Sequence, residues 1–327
     1  MIAAGGPCRD PRSRNPVTDR VAIAGSGSIG VAFGVLFANA GFEVRLWDAF
    51  PDALERARRD LENRFDALDG HGLMLRPVAE ALAAISYHAG LEDAVAGTAL
   101  VQECIPEKLD LKRELFNRLG DLAPEDAILA SSTSAIVPGA IAEKLDCGDR
   151  IIVGHPGNPP YLIPVIEIVP SAVTAAPVIE AATQLYVRAG LKPINVLKEA
   201  EGFVFNRLQG ALLREAYCLV RDGIASVDDV DEVVRSGLGL RWSVIGPFET
   251  ADLNTRGGIA SHAEKMGPAY LRMGQERGQN DPWTKDLVTS VAAQRRSLLP
   301  LEDWDERVRW RDQQLMKLRA NDTKPKN

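Results

Sequence analysis

Val21-Ala22-Ile23-Ala24-Gly25-Ser26-Gly27-Ser28-Ile29-Gly30 decides the fold: four apolar residues of strand character enter a turn with three glycines, and a helical run follows to Asn39. In such a turn Gly25 permits the tight reversal and Gly27 lets a pyrophosphate approach the backbone. Gly30 allows close packing of the helix, whose N-terminus faces the anion. The glycine spacing alone is a weak motif, because a turn can be glycine-rich for purely steric reasons. Asp48 strengthens it by ending the next strand, 18 residues after Gly30, where a carboxylate accepts hydrogen bonds from an adenosine ribose. An acidic group there favours NAD over NADP, whose 2′-phosphate it repels. Gly25, Ser26, Gly27, Ser28, Ile29, Gly30 and Asp48 are therefore the expected cofactor-binding residues of this element.

Outward from the turn, short β-like runs alternate with helical ones. Phe42, Val44 and Leu46 alternate with Glu43 and Arg45, and later runs are 99–101, 127–130, 151–153, 165–169 and 194–197. Between them, a helix is expected to open at Pro106 and continue through Leu111, Leu115 and Leu119. Such alternation predicts an α/β fold: a Rossmann-type, mostly parallel sheet with helices on both faces. After Leu197 the spacing changes to threes and fours. Phe205, Leu208, Leu212, Ala216 and Leu219 share one stripe of a long helix, Ser226 with Asp229 reads as a helix start, and Gly237 as its stop. Further helices are expected near 248–266, 283–297 and 301–319. The expected division is a tail at 1–19, a dinucleotide-binding domain at 20–198, an all-helical substrate and dimerisation domain at 199–320 that closes one side of the cleft, and a frayed end at 321–327.

The 327 residues carry 38 Lys+Arg against 45 Asp+Glu, a formal net charge of −7, which argues against nucleic-acid and anionic-membrane binding. At 46% hydrophobic and 25% charged the composition is that of a soluble globular protein, and at about 150 residues per domain two domains fit the length. The longest apolar stretch, 29–38, is too short to span a membrane. Residues 1–20 lack the apolar centre of a secretory signal, so the cytoplasm is the expected location. Cys8, Cys104, Cys147 and Cys218 form no C-x-x-C pair; reduced thiols are expected, with no metal site.

Chemistry concentrates on His155, one of four histidines. It ends the 151–154 strand, and the carboxyl ends of parallel strands are where open α/β sheets place ligands. Glu167 interrupts Val165-Ile166-Glu167-Ile168-Val169, and a carboxylate buried there without a partner costs several kcal/mol. Paired with His155 it would fix the imidazole tautomer and favour the imidazolium, as suits a base that accepts a proton from an alcohol; the alternative is a Glu167 turned to solvent. His71, His88 and His262 lack such a context. The hydroxyls of Ser131-Ser132-Thr133-Ser134 suit a substrate oxygen and, equally, a turn or cap. Asn206 likewise reads as a polar contact or a helix cap.

These residues resemble the 3-hydroxyacyl-CoA dehydrogenase family, and within it the L-gulonate 3-dehydrogenase or lambda-crystallin branch, from residue 20 to about 265. The most specific segments are Gln102-Glu103-Cys104-Ile105-Pro106-Glu107, His155-Pro156-Gly157-Asn158-Pro159-Pro160-Tyr161, Gly202-Phe203-Val204-Phe205-Asn206-Arg207-Leu208 and Gly237-Leu238-Gly239-Leu240-Arg241. The resemblance implies His155 as catalytic base, Glu167 as its orienting carboxylate, and Ser134 and Asn206 around the reacting oxygen. For NAD it adds Glu107, Lys112 and Asn158, and it implies a homodimer. Acyl-CoA members usually carry two aromatic residues where this chain has Pro156-Gly157. The expectation is accordingly NAD-dependent oxidation of the 3-hydroxyl of a small free 3-hydroxy acid, with L-gulonate first. Arg241 is the candidate for the substrate carboxylate, the alternative being a surface arginine beside a helix end. Alternative readings are a 3-hydroxyacyl-CoA such as 3-hydroxybutyryl-CoA, L-carnitine, or a crystallin-like NAD-binding protein without catalysis.

Overall fold

The computed structural model describes residues 19–256, 258–277 and 300–322, with scattered positions between 286 and 297. The expected tail lies outside these residues except for Asp19, and so does most of the expected 283–297 helix.

The first segment alternates as the pattern predicts: β1 (Arg20–Ala24), α1 (Ser28–Asn39), β2 (Glu43–Trp47), α2 (Pro51–Gly70), α3 (Val78–Ala83), β3 (Ile85–His88), α4 (Leu91–Val95) and β4 (Leu100–Glu103). It continues through α5 (Leu109–Leu122), β5 (Ile128–Ser131), α6 (Pro138–Ala142), β6 (Ile151–Pro156), β7 (Val165–Pro170), α7 (Ala176–Arg188) and β8 (Lys192–Asn195). The strands form one sheet in the order β3-β2-β1-β4-β5-β6-β7-β8. Helix α1 is apolar all round, and every residue from Gly30 to Ala38 is buried, as expected of a helix with no polar face. Successive strand residues serve opposite faces. Val21 and Ile23 pack with Phe33, Phe37, Phe65 and Tyr186, whereas Ala22 and Ala24 pack with Leu115, Phe116 and Ile141. Both faces of the sheet are thereby covered.

One departure from parallel order positions the chemistry. β6 and β7 are antiparallel, in a register that sets His155 directly opposite Glu167. Only eight residues, 157–164, join the two strands, too few for the dozen or more that a parallel crossover needs.

Some sequence expectations are corrected. Pro106 lies ahead of its helix: α5 starts at Leu109 behind Lys108, because the Ile105 amide is taken by the Glu103 carboxylate and Lys108 N–H turns back to the Pro106 carbonyl. β8 is centred two residues earlier than expected, which leaves Leu197 almost fully exposed. β3 lies outside the expected strands because its run Ile85-Ser86-Tyr87-His88 is short and half polar.

Contacts divide the chain into two compact units, one running to Asn206 and resuming at Trp310, the other spanning Arg207–Arg309. The helices from here on are α8 (Phe205–Arg221), α9 (Val227–Glu232), α10 (Gly239–Trp242), α11 (Pro247–Leu253), α12 (Gly258–Arg277) and α13 (Trp304–Asp322). Ser226 caps α9 by accepting the Asp229 N–H, as its spacing implies. Gly237 does not stop the helix: the chain continues through a π-turn at Val233–Leu238 into α10. A Cβ at Gly239 would stand 2.8 Å from the Val234 carbonyl, so a glycine lets the widened turn close. Asn321 and Asp322, expected to fray, remain in α13.

Candidate functional site

The glycine turn connects β1 to α1 beside the point where the strand order reverses between β1 and β4, the usual ligand position in such sheets. Gly25 has a φ of +111°, and a Cβ there would lie 2.7 Å from the Cys104 backbone; only glycine suits both the dihedral and the space. At Gly30 a Cβ would come within 1.9 Å of the Gly25 carbonyl oxygen, whereas at Gly27 it would meet nothing within 4 Å. The two outer glycines are thus required by the protein itself, and the middle one leaves open room. Asp48 accepts the Ser26 N–H at 2.8 Å and the Ser26 hydroxyl at 2.7 Å with one oxygen, and the Phe50 N–H at 3.0 Å with the other. A cavity of about 670 Å³ opens here, lined among others by Gly27, Asp48, Phe50, Arg56 and Arg118. Open space over a helix N-terminus, flanked by an acid, fits a dinucleotide. Cys104 also lines it, but burial pushes its thiol up to about 12, which leaves it protonated and unreactive.

His155 is 6% exposed and Glu167 2%. Their side chains meet at 2.8 Å, Nδ1 to Oε2. The other oxygen of Glu167 accepts the Val204 and Phe205 amides at 2.7 and 2.9 Å, at the start of α8. Burial works to raise the Glu167 carboxyl, but the His155 hydrogen bond and the two amides outweigh it and hold the group below its ordinary range. An ionised Glu167 makes Nδ1 the protonated ring nitrogen and leaves Nε2 with a free lone pair. Phe203 and Phe205 flank the ring at centroid distances of 5.5 and 6.3 Å.

Ser134 and Asn206 come together through the backbone: Asn206 Nδ2 donates to the Ser134 carbonyl at 3.0 Å. Ser134 is exposed, and no hydrogen bond of its hydroxyl occurs among the described residues. The structure sorts the other three hydroxyls of that loop. Ser131 donates to Glu103 at 2.5 Å, Ser132 accepts from Gln102 at 2.8 Å, and Thr133 donates to Glu107. Glu107 also accepts the Ser134 amide at 3.1 Å. Burial disfavours its charged form, yet Thr133, Lys112 and that amide hold its carboxyl below the usual range.

Lys112 does not stand on an open surface. It is 1% exposed, and its ammonium lies 2.8 Å from Glu103 and 3.2 Å from Glu107. Asn158 is exposed, just before the cis Pro159. Arg241 sits exposed on α10 of the other compact unit. Sequence reasoning gave no role to Glu103 or to Gln102, which accepts the Tyr186 hydroxyl at 2.6 Å. Two polar residues inside the apolar β4 strand, Gln102 and Glu103, both 0% exposed, were the available signal. Among the described residues no helix is long and apolar enough to cross a membrane.

The family model "3-hydroxyacyl-CoA dehydrogenase, NAD binding domain" matches residues 20–200, and "3-hydroxyacyl-CoA dehydrogenase, C-terminal domain" matches 202–298. Lambda-crystallin of Oryctolagus cuniculus is 35% identical over 308 residues, 93% of this chain and 96% of that protein. An L-carnitine dehydrogenase of Streptomyces griseus is 40% identical over 268 residues, 81% of this chain and 76% of that protein. Among solved structures, a 5-formyl-3-hydroxy-2-methylpyridine 4-carboxylic acid 5-dehydrogenase, an NAD+-dependent dismutase, aligns with a TM-score of 0.79 at 28% identity, covering 92% of this chain and 97% of its own. The chain belongs to the 3-hydroxyacyl-CoA dehydrogenase family of NAD-dependent oxidoreductases.

Proposed function

We propose that this protein oxidises the 3-hydroxyl of a small free 3-hydroxy acid, with L-gulonate as the first candidate and His155 as the base. The observation that carries this reading is the buried His155–Glu167 pair at 2.8 Å, set at the end of a strand in the sheet that carries the glycine turn. Glu167 holds Nδ1–H, so Nε2 is the atom that takes the hydroxyl proton, and the carboxylate then stabilises the imidazolium. The Ser134 hydroxyl and the amide hydrogen of Asn206 not given to the Ser134 carbonyl are the donors for the substrate oxygen as it becomes a carbonyl. The Gly25–Gly30 turn, Asp48, Glu107 and Asn158 would hold NAD. When bound, NAD supplies the acceptor for the hydride from substrate C3. Phe203 and Phe205 beside the imidazole limit the water that competes for its proton.

The loop after His155 supports a free acid over a CoA thioester. A Cβ at Gly157 would lie 2.6 Å from Ile163 Cγ2 and 3.0 Å from Val165 Cγ1, so this loop has no room for an aromatic side chain there. L-carnitine, named by relatives at up to 40% identity, is likewise a small free acid and is the second candidate. The test is kcat/KM for L-gulonate, L-carnitine and 3-hydroxybutyryl-CoA with NAD. A free acid is expected to exceed the thioester by about 100-fold or more, the size of a missing pocket contact with charged groups; a preference for the thioester would refute the assignment, and no turnover with any would favour the non-catalytic, crystallin-like reading.

Self-association is part of the proposal. On α8, Leu208 is 63% and Leu212 37% exposed, and Leu240, Val244 and Phe248 are exposed in the same unit. So much apolar surface in one unit suits a second copy of the chain. Light scattering is expected to give about twice the 35.4 kDa of one chain, and a monomer mass at micromolar concentration would contradict this.

A further inference from the structure

We propose that Glu103 is a positioning residue that locks the cofactor-side carboxylate Glu107 and the Ser134 loop into a single frame. The inference rests on the reading of Glu107 as a cofactor contact and Ser134 as a substrate contact; Glu103 itself touches neither ligand. It ends β4, where one oxygen accepts Lys112 Nζ at 2.8 Å and the Ile105 amide at 2.7 Å. The other oxygen accepts Lys112 Nζ at 2.9 Å and the Ser131 hydroxyl at 2.5 Å. The same ammonium reaches Glu107 at 3.2 Å and the Ile105 carbonyl at 3.4 Å. Glu107 in turn takes the Thr133 hydroxyl and, at 3.1 Å, the Ser134 N–H.

Stability does not account for this arrangement. The side chains of Glu103 and Lys112 are 0% and 1% exposed, and a well-packed apolar pair of similar volume is often as stable as a buried ion pair or more so. What an apolar pair cannot do is divide one ammonium between a fixed carboxylate below and a presented one above. Glu107 is 45% exposed at its side chain, and a half-exposed glutamate without such a hold samples several rotamers. Glu103 sets where Lys112 sits, Lys112 sets where Glu107 points, and Glu107 fixes the amide of the residue whose hydroxyl faces substrate. Both contacts are thereby aimed by one buried carboxylate, in the way that outer residues orient those that touch the ligand.

The test uses the full chain, with NAD dissociation constants from protein fluorescence, kcat and KM from NADH formation, and melting temperatures. Glu103→Gln is expected to raise the NAD Kd about tenfold and lower kcat about tenfold, and the Glu103→Gln/Glu107→Gln double variant is expected to lose no more than Glu107→Gln alone. Ser131→Ala keeps both charges and is expected to show the same paired changes at about threefold. A Glu103→Gln protein that melts lower but keeps Kd and kcat within about twofold, or a double variant whose losses multiply, would overturn the proposal. If Glu103→Gln does not fold, Ser131→Ala decides, and unchanged Kd and kcat in that variant overturn it. Failure of the functional reading looks different: the unaltered protein would then bind no NAD or turn over no 3-hydroxy acid.

Discussion

His155→Ala lowers kcat by about 10³-fold while the NAD Kd stays within about twofold, because a positioned base contributes about 10²- to 10⁴-fold and the glycine turn does not include the imidazole. The variant is expected to fold. Glu167 keeps its Val204 and Phe205 amide donors when the ring is removed, so the carboxylate is not stranded. The space left beside Phe203, itself 1% exposed, costs about 1–3 kcal/mol on the scale of large-to-small core changes. Steady-state kinetics, a fluorescence titration with NAD and a melting curve separate these effects. Turnover near that of the unaltered protein would remove His155 from the mechanism.

Gly30→Ala acts on cofactor binding instead, and for a steric reason. The added Cβ would lie 1.9 Å from the Gly25 carbonyl oxygen, 3.0 Å from its carbon and 3.3 Å from Ile23. Two of these three neighbours are backbone, which no rotamer change can move aside. The strain is met by pushing α1 away from the turn, and α1 is buried along its length, so the shift disturbs the core that Phe33 and Phe37 anchor. A loss of about 3 kcal/mol or more is expected, at the upper end for overpacking, with NAD affinity falling by about 100-fold as the helix N-terminus leaves its place. Gly27→Ala is the comparison. Its Cβ meets nothing within 4 Å, so this variant melts normally and loses NAD affinity only because the methyl enters the ligand's space. Equal melting losses in the two variants would contradict the division of roles between the glycines.

The steric demands at Gly25 and Gly30 are legible in the sequence, because each follows from backbone geometry that a short motif imposes locally. So is the need of Glu167 for a partner, since an acid inside Val165-Ile166-Glu167-Ile168-Val169 has few ways to be satisfied. The antiparallel register that brings it opposite His155 was also written in the chain, in the eight residues between Pro156 and Val165, although the alternating pattern drew attention to parallel pairing instead. The Ser131–Ser134 hydroxyls were another matter. In sequence the four are interchangeable, and only the three-dimensional placement of Glu103, Gln102 and Glu107 separates the three that are used internally from the one left exposed. Lys112 shows the same limit, because helical spacing puts a lysine on a face without telling whether two acids wait there. Pro106 and Gly237 are each a good local signal overruled nearby, by the Glu103 hold on Ile105 and by the π-turn before α10.

In the proposed reaction His155 takes the hydroxyl proton while the hydride leaves the carbon that bears that hydroxyl for NAD. The most direct measurement supplies the best of the free 3-hydroxy acids with deuterium at C3 and examines the reduced cofactor by NMR. The expected result is NADH carrying deuterium on the nicotinamide ring, formed by the unaltered protein and nearly abolished in His155→Ala. Reduced cofactor without the label, or labelled cofactor formed equally fast without the imidazole, would contradict it.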